Sequence, residues 1–206
     1  MEPHLFTPGP VAVPHAVRVA GAAPLIGHRS EPYFALLGEI QGRLRRLLGT
    51  DRPVVLLPSS GTGALEALVV NLLAPGERAI SVSCGAFGDR FREIAARWGV
   101  AIHAVDIPWG SAAGPEDVAR ALKECPDASA LLLTHNETST GVATDLAACL
   151  SVVPPDGPLV LVDAVSSLGA MACRPDAWGV DGLASCSQKG LMTPPGLGLV
   201  ALSERG

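Results

Sequence analysis

Apolar residues along this chain fall into two alternating kinds of run. Short, nearly unbroken ones occupy positions 54–57, 79–82, 101–107, 130–134, 159–162, 183–185 and 197–202. Between them lie longer stretches with apolar positions at helical spacing, near 61–73, 88–98, 115–124 and 144–152. A run too short for a helix and apolar on both faces predicts a strand buried on both sides. Strands of that kind alternating with helices predict an α/β fold built on an open, mostly parallel sheet. One more helix is expected upstream. Ser30 is its N-cap candidate, Pro32 sits in its first turn, its apolar positions are 33, 36, 37, 40, 44, 47 and 48, and Gly49 stops it. Prolines 3, 8, 10 and 14 make residues 1–16 an expected extended arm, with 17–206 as one domain.

In such a sheet the ligand lies beyond the carboxyl ends of the strands, so residues just after each apolar run carry the functional information. Those residues fall at 59–63, 84–87, 135–140, 163 and 188–189.

Composition narrows the picture. Of the 206 residues, 48% are hydrophobic and 17% charged, ample for a sizeable core and wrong for a disordered chain. A net charge of −5, with no arginine patch interleaved with aromatics, disfavours nucleic acid as a partner. Arg43-Leu44-Arg45-Arg46 reads as the wet face of a helix. Mean hydropathy is positive, yet no window approaches about 18 uninterrupted apolar residues, so no membrane span is expected. The proline-rich start does not read as a signal peptide, which makes a cytoplasmic address the expectation. Cysteines 84, 125, 149, 173 and 186 are scattered and never form C-x-x-C, so neither a disulfide framework nor a zinc knuckle is expected. Cys149 and Cys186 sit in apolar stretches and read as small buried hydrophobes.

Of fifteen lysines and arginines, only Lys123 and Lys189 are lysines. Lys123 lies in a polar helical stretch and reads as a solvated charge. Lys189 follows a buried run, in Ser185-Cys186-Ser187-Gln188-Lys189-Gly190. It is either a strand-end lysine reaching solvent or an amine kept for chemistry that arginine cannot do, because only lysine forms a Schiff base. Asp163 ends the run Leu159-Val160-Leu161-Val162. An acid there is a metal ligand, a cap, or a partner for a buried cation such as a protonated pyridine nitrogen. Ser59-Ser60-Gly61-Thr62-Gly63 lies between a strand and a helix, where backbone amides and hydroxyls can cradle a phosphate. It matches neither the P-loop nor the dinucleotide fingerprint.

Taken together, Asp163, Ser187-Gln188-Lys189 and Pro194-Pro195-Gly196 resemble the class V pyridoxal-phosphate aminotransferases, the group that includes alanine–glyoxylate and serine–pyruvate aminotransferases. Thr7-Pro8-Gly9-Pro10, Gly27-His28-Arg29-Ser30, Ser60-Gly61-Thr62-Gly63-Ala64-Leu65-Glu66-Ala67 and His135-Asn136-Glu137-Thr138-Ser139-Thr140-Gly141 extend the likeness in family order. The resemblance implies the fold-type I large domain, a seven-stranded, mostly parallel sheet flanked by helices. It also implies pyridoxal 5′-phosphate as cofactor, transamination between a small amino acid and a small 2-oxo acid (glyoxylate or pyruvate), and a homodimer.

Roles follow by resemblance. Lys189 would form the Schiff base and shuttle the proton. Asp163 would pair with the pyridinium nitrogen. Ser60, Gly61 and Thr62, with Gln188, would hold the phosphate. Phe87 would stack on the ring, Thr138 would bond the phenolic oxygen, and Gly9 would line the substrate side. His135 reads as a structural histidine, Glu137 as a cap or salt-bridge partner, and Trp98 and Trp109 as packing residues.

Family members continue into a smaller C-terminal domain that usually carries the arginine gripping the substrate carboxylate. Sequence reasoning therefore expects this chain to hold the large domain only, as a fragment or truncated product. The alternatives are a cysteine desulfurase-like lyase of the same fold and a non-catalytic scaffold. Desulfurases typically place histidines where Phe87 and Gln188 stand here.

Overall fold

A computed structural model describes residues 5–206. In chain order its elements are α1 (His15–Gly21), α2 (Glu31–Leu48), β1 (Val54–Pro58), α3 (Gly61–Leu72), β2 (Arg78–Ser83), α4 (Ala86–Arg97), β3 (Ala101–Asp106) and α5 (Pro115–Glu124). There follow β4 (Ala130–Thr134), β5 (Asn136–Glu137), β6 (Val142–Ala143), α6 (Leu146–Leu150), β7 (Leu159–Asp163), α7 (Pro175–Trp178), β8 (Gly182–Cys186) and β9 (Leu197–Leu202).

Seven strands form one sheet in the order β1-β9-β8-β7-β4-β2-β3. Neighbours from β8 through β3 pair in parallel, while β9 runs antiparallel to both β8 and β1. The expected mostly parallel α/β sheet is therefore present, with β9 as its one reversed strand. Successive strand side chains point to opposite faces, and each face has its own helical cover. Ala79, Ala130, Leu132, Leu161, Ala184 and Val200 pack with Leu65 and Leu68 of α3 and Phe91 and Ala95 of α4. Ile80, Leu131, Leu133, Val160, Val162 and Leu183 pack with Leu44 and Leu48 of α2, Val118 of α5 and Leu146 of α6.

Helix α2 lies where its apolar spacing placed it and ends at Gly49, whose φ of +66° glycine tolerates best. Ser30 occupies the N-cap position, but its hydroxyl donates to the Gly27 carbonyl (2.7 Å) instead of capping the helix. Arg43 and Arg46 are exposed while Leu44 is buried, as a wet face requires.

Four elements were not foreseen. Helix α1 takes the last two residues of the expected extended arm, and it buries none of its own residues, so no apolar stripe betrayed it. The β5–β6 pair is two residues a side, too short to show a period. Helix α7 is a single turn. No helix among the described residues is long and apolar enough to cross a membrane.

Candidate functional site

Because β1, β2, β4, β7 and β8 all run one way, their carboxyl ends share one pole of the sheet. Strand β7 delivers Asp163 there, opposite Thr134 of β4. Asp163 is 4% exposed, and its Oδ1 accepts a hydrogen bond from the Val165 N–H (2.8 Å). Burial pushes its carboxyl up to about 7 against the pull of that amide; the charge of Glu137 adds to the rise and Lys189 opposes it. One oxygen thus does cap a turn, while the group as a whole is a desolvated acid that a nearby cation would relieve.

Lys189 stands in the loop between β8 and β9. Ser187 fixes that loop: its Oγ donates to the Pro194 carbonyl (2.7 Å), and its own carbonyl accepts from Thr193 Oγ1 (2.9 Å). Met192, at φ +53°, completes the turn by donating its N–H to the Lys189 carbonyl (2.9 Å). Gly190 lies against residues 168–170, and a Cβ there would come within 2.3 Å of the Leu168 carbonyl.

The Lys189 Nζ donates to the Pro8 carbonyl (3.1 Å), and the Val11 N–H donates to the Gln188 carbonyl (3.1 Å). The N-terminal arm is thereby drawn over the lysine. Gly9 has φ +144°, and a Cβ on it would come within 2.4–2.7 Å of the lysine's Cδ, Cε and Nζ.

The start of α3 faces the same pole. Ser60 caps it, its Oγ accepting from the Gly63 N–H (3.1 Å), and helix geometry leaves the Gly61 and Thr62 amides without intrahelical acceptors. Gly61 packs on the segment after Asp163, with a Cβ position 2.6 Å from Val165 Cγ2. Ser59 donates its N–H to the Gly196 carbonyl (2.9 Å), which ties this cradle to the lysine loop.

Helix α4 brings Phe87, half-buried, with the Arg90 guanidinium 5.6 Å from its ring centre. Thr138 is half-buried in the turn between β5 and β6. Glu137 beside it is fully buried and accepts hydrogen bonds from the Phe87 and Gly88 amides (both 3.0 Å), so of the two readings left open, the cap is the one realised.

Other residues fall outside this cluster. His135 is 4% exposed, packs edge-on against Trp178, and has its pKa lowered by burial, as a structural histidine should. Trp98 and Trp109 are corrections: they are 49% and 64% exposed, so neither is a packing residue. Trp98 donates its ring N–H to Glu66 (3.0 Å), and Trp109 lines a cleft with Asp89, Arg92 and Asp106. All five cysteines are free and buried.

A lysine amine, a buried acid and an open helix N-terminus at one pole of a parallel sheet define the kind of site that holds a phosphorylated aromatic cofactor. The family model for Aminotransferase class-V matches residues 24–205, and the chain belongs to that family. An aspartate aminotransferase structure from Thermus thermophilus is 44% identical with a TM-score of 0.91, over 98% of this chain and 57% of that one. The "Soluble hydrogenase 42 kDa subunit" of Anabaena cylindrica is 43% identical over 98% of this chain and 53% of its own length. The "L-aspartate--glyoxylate aminotransferase" of Paracoccus denitrificans is 37% identical over 98% and 52%. The chain thus spans about half the length of the curated relatives it matches.

Pyridoxal 5′-phosphate is the cofactor of this family, and the residues present fit it. The Gln188 Oε1 is buried with no hydrogen-bond partner, a polar atom available to a ligand beside Lys189. Asp163 offers a desolvated carboxylate to a cationic ring nitrogen, and α3 offers open amides to a phosphate.

Proposed function

We propose that this chain is the cofactor-binding part of an aminotransferase that moves an amino group between a small amino acid and a small 2-oxo acid, glyoxylate or pyruvate. The carrying observation is the meeting of Lys189 and the buried Asp163 at one strand pole. When bound, pyridoxal phosphate supplies an electron sink for the substrate's α-carbon. Lys189 would be the amine that holds the cofactor and the base that moves the substrate proton. Asp163 would keep the ring nitrogen protonated. Ser60, Gly61, Thr62 and Gln188 would hold the phosphate, Phe87 would cover the ring, and Thr138 would offer its hydroxyl to the phenolic oxygen. Gly9 leaves room on the substrate side for the lysine to act.

The relatives named for aspartate and glyoxylate transamination support this substrate class. The hydrogenase name of the Anabaena relative leads to no particular residue here. Phe87 and Gln188, in place of histidines, favour transamination over a desulfurase reading. Apolar residues on the surface, Val19 of α1, Leu25, Ile26 and Phe34, support assembly as a homodimer. Free cysteines support a cytoplasmic, reducing address, and the charge of −5 argues against nucleic acid.

Borohydride reduction after addition of pyridoxal phosphate, followed by peptide mapping, tests the reading. A tag on Lys189 and none on exposed Lys123 is expected. Equal tagging of both, or of neither, would sink it.

A further inference from the structure

Helix α4 begins without a cap of its own. Its N-cap residue is Gly85, which has no side chain to accept from the first amides, although such caps are worth about 1 kcal/mol. The acceptor comes instead from some fifty residues away along the chain. Glu137 Oε2 accepts from the N–H groups of Phe87 and Gly88, each at 3.0 Å. Its Oε1 accepts from the Ser139 N–H (3.1 Å) and Oγ–H (2.7 Å), and the Ser139 Oγ accepts in turn from the Ala86 N–H (3.0 Å). Three successive amides of α4 are therefore held from the β5–β6 hairpin. Gly85 is part of the arrangement, because a Cβ there would lie 2.5 Å from Glu137 Cγ and 2.5 Å from the Ser139 Oγ.

Glu137 is fully buried, and it is the one charged residue among the largest fully buried side chains described. Burying a carboxylate costs several kcal/mol unless donors surround it; here four donors and the positive end of α4 do so. A local serine or aspartate at position 85 would cap the helix at lower cost. What the distant carboxylate adds is a connection between two walls. One oxygen binds the amide of Phe87, and the other binds the turn that carries Thr138.

We propose that Glu137 is a positioning residue for the cofactor ring, locking Phe87 and Thr138 into a single rigid wall; the role rests on the pyridoxal-phosphate reading above. A ring held on its face by Phe87 and at its oxygen by Thr138 then meets both groups at a fixed spacing. That spacing is set by one carboxylate rather than by the independent positions of a helix and a turn.

The test uses the full chain and two variants. Glu137→Gln keeps the shape but turns one pair of amides toward an NH2 group. Gly85→Ala keeps the carboxylate and displaces it. Pyridoxal phosphate affinity, the visible circular dichroism of the bound cofactor and borohydride tagging are measured for each. Both variants are expected to keep the tag on Lys189, to bind the cofactor about tenfold more weakly, and to lose much of the induced dichroism, which reports how the ring is held. Wild-type affinity and dichroism alongside a lowered melting temperature would overturn the proposal, leaving Glu137 a purely structural group. A wild-type chain that takes no tag would instead defeat the pyridoxal reading. Hydrogen exchange on the cofactor-free chain then still bears on Glu137: faster exchange at Phe87 and Gly88 in Glu137→Gln is expected, and unchanged exchange would overturn the anchor itself.

Discussion

Glu137, at the end of β5 just beyond β4, and Asp163, at the end of β7, are both buried carboxylates, yet they are supplied with hydrogen bonds very differently. Glu137 has four donors and no exposure. Asp163 has the Val165 amide, and its carboxyl rises to about 7 because burial outweighs what that amide returns. A buried acid with a full set of donors stabilises the chain as it stands. One left under-supplied makes the empty site less stable and the loaded site more so, once a cation arrives. Burial alone does not separate these two carboxylates; the count of donors does.

The comparison can be broken most sharply by deletion. Glu137→Ala would leave buried donors without an acceptor and is expected to lower stability by about 3 kcal/mol or more, read by urea unfolding of the cofactor-free chain. Asp163→Asn should do the reverse at pH 8, stabilising the cofactor-free chain while cutting transamination, or cofactor affinity where no turnover is seen, by about a hundredfold. A destabilised Asp163→Asn would show that Asp163 is architectural too.

The pH dependence follows with its sign. The folded pKa of Asp163 lies above its ordinary 3.8, so the folded chain holds the extra proton between the two values. Its contribution to stability is greatest below about pH 4, declines as pH rises toward about 7, and is level above that. Melting curves of wild type against Asp163→Asn from pH 4 to 8 should diverge over that window. Thr138→Val is the mildest change; it removes one hydroxyl from the wall and should weaken cofactor binding severalfold, about 1 kcal/mol, with melting unchanged.

Much of this was legible in the sequence because burial on both faces leaves an unmistakable apolar run. Each of the seven runs became a strand, and Asp163 and Lys189 stood out as charged residues just after such runs. Direction was not legible. Leu197–Leu202 is as apolar as its parallel neighbours, and nothing in an apolar run records that β9 turns back. The donors of Glu137 were equally hidden, since most are backbone amides, which carry no residue identity. Lys189 and Asp163 could be singled out by type, whereas the contact of Lys189 with Pro8 depends on how the arm folds back.

That last contact bears on how the protein is made. Pro8 and Lys189 lie 181 positions apart. At translation rates of about 5–20 residues per second, they leave the ribosome roughly 10–35 s apart. The arm must wait, unlatched, until nearly all of the sheet has been synthesised, because its docking site is the loop between the last two strands. Closing so distant a contact is slow by its topology. Lys189 is therefore covered late in folding, after an interval in which the newly made loop that carries it stands without the arm.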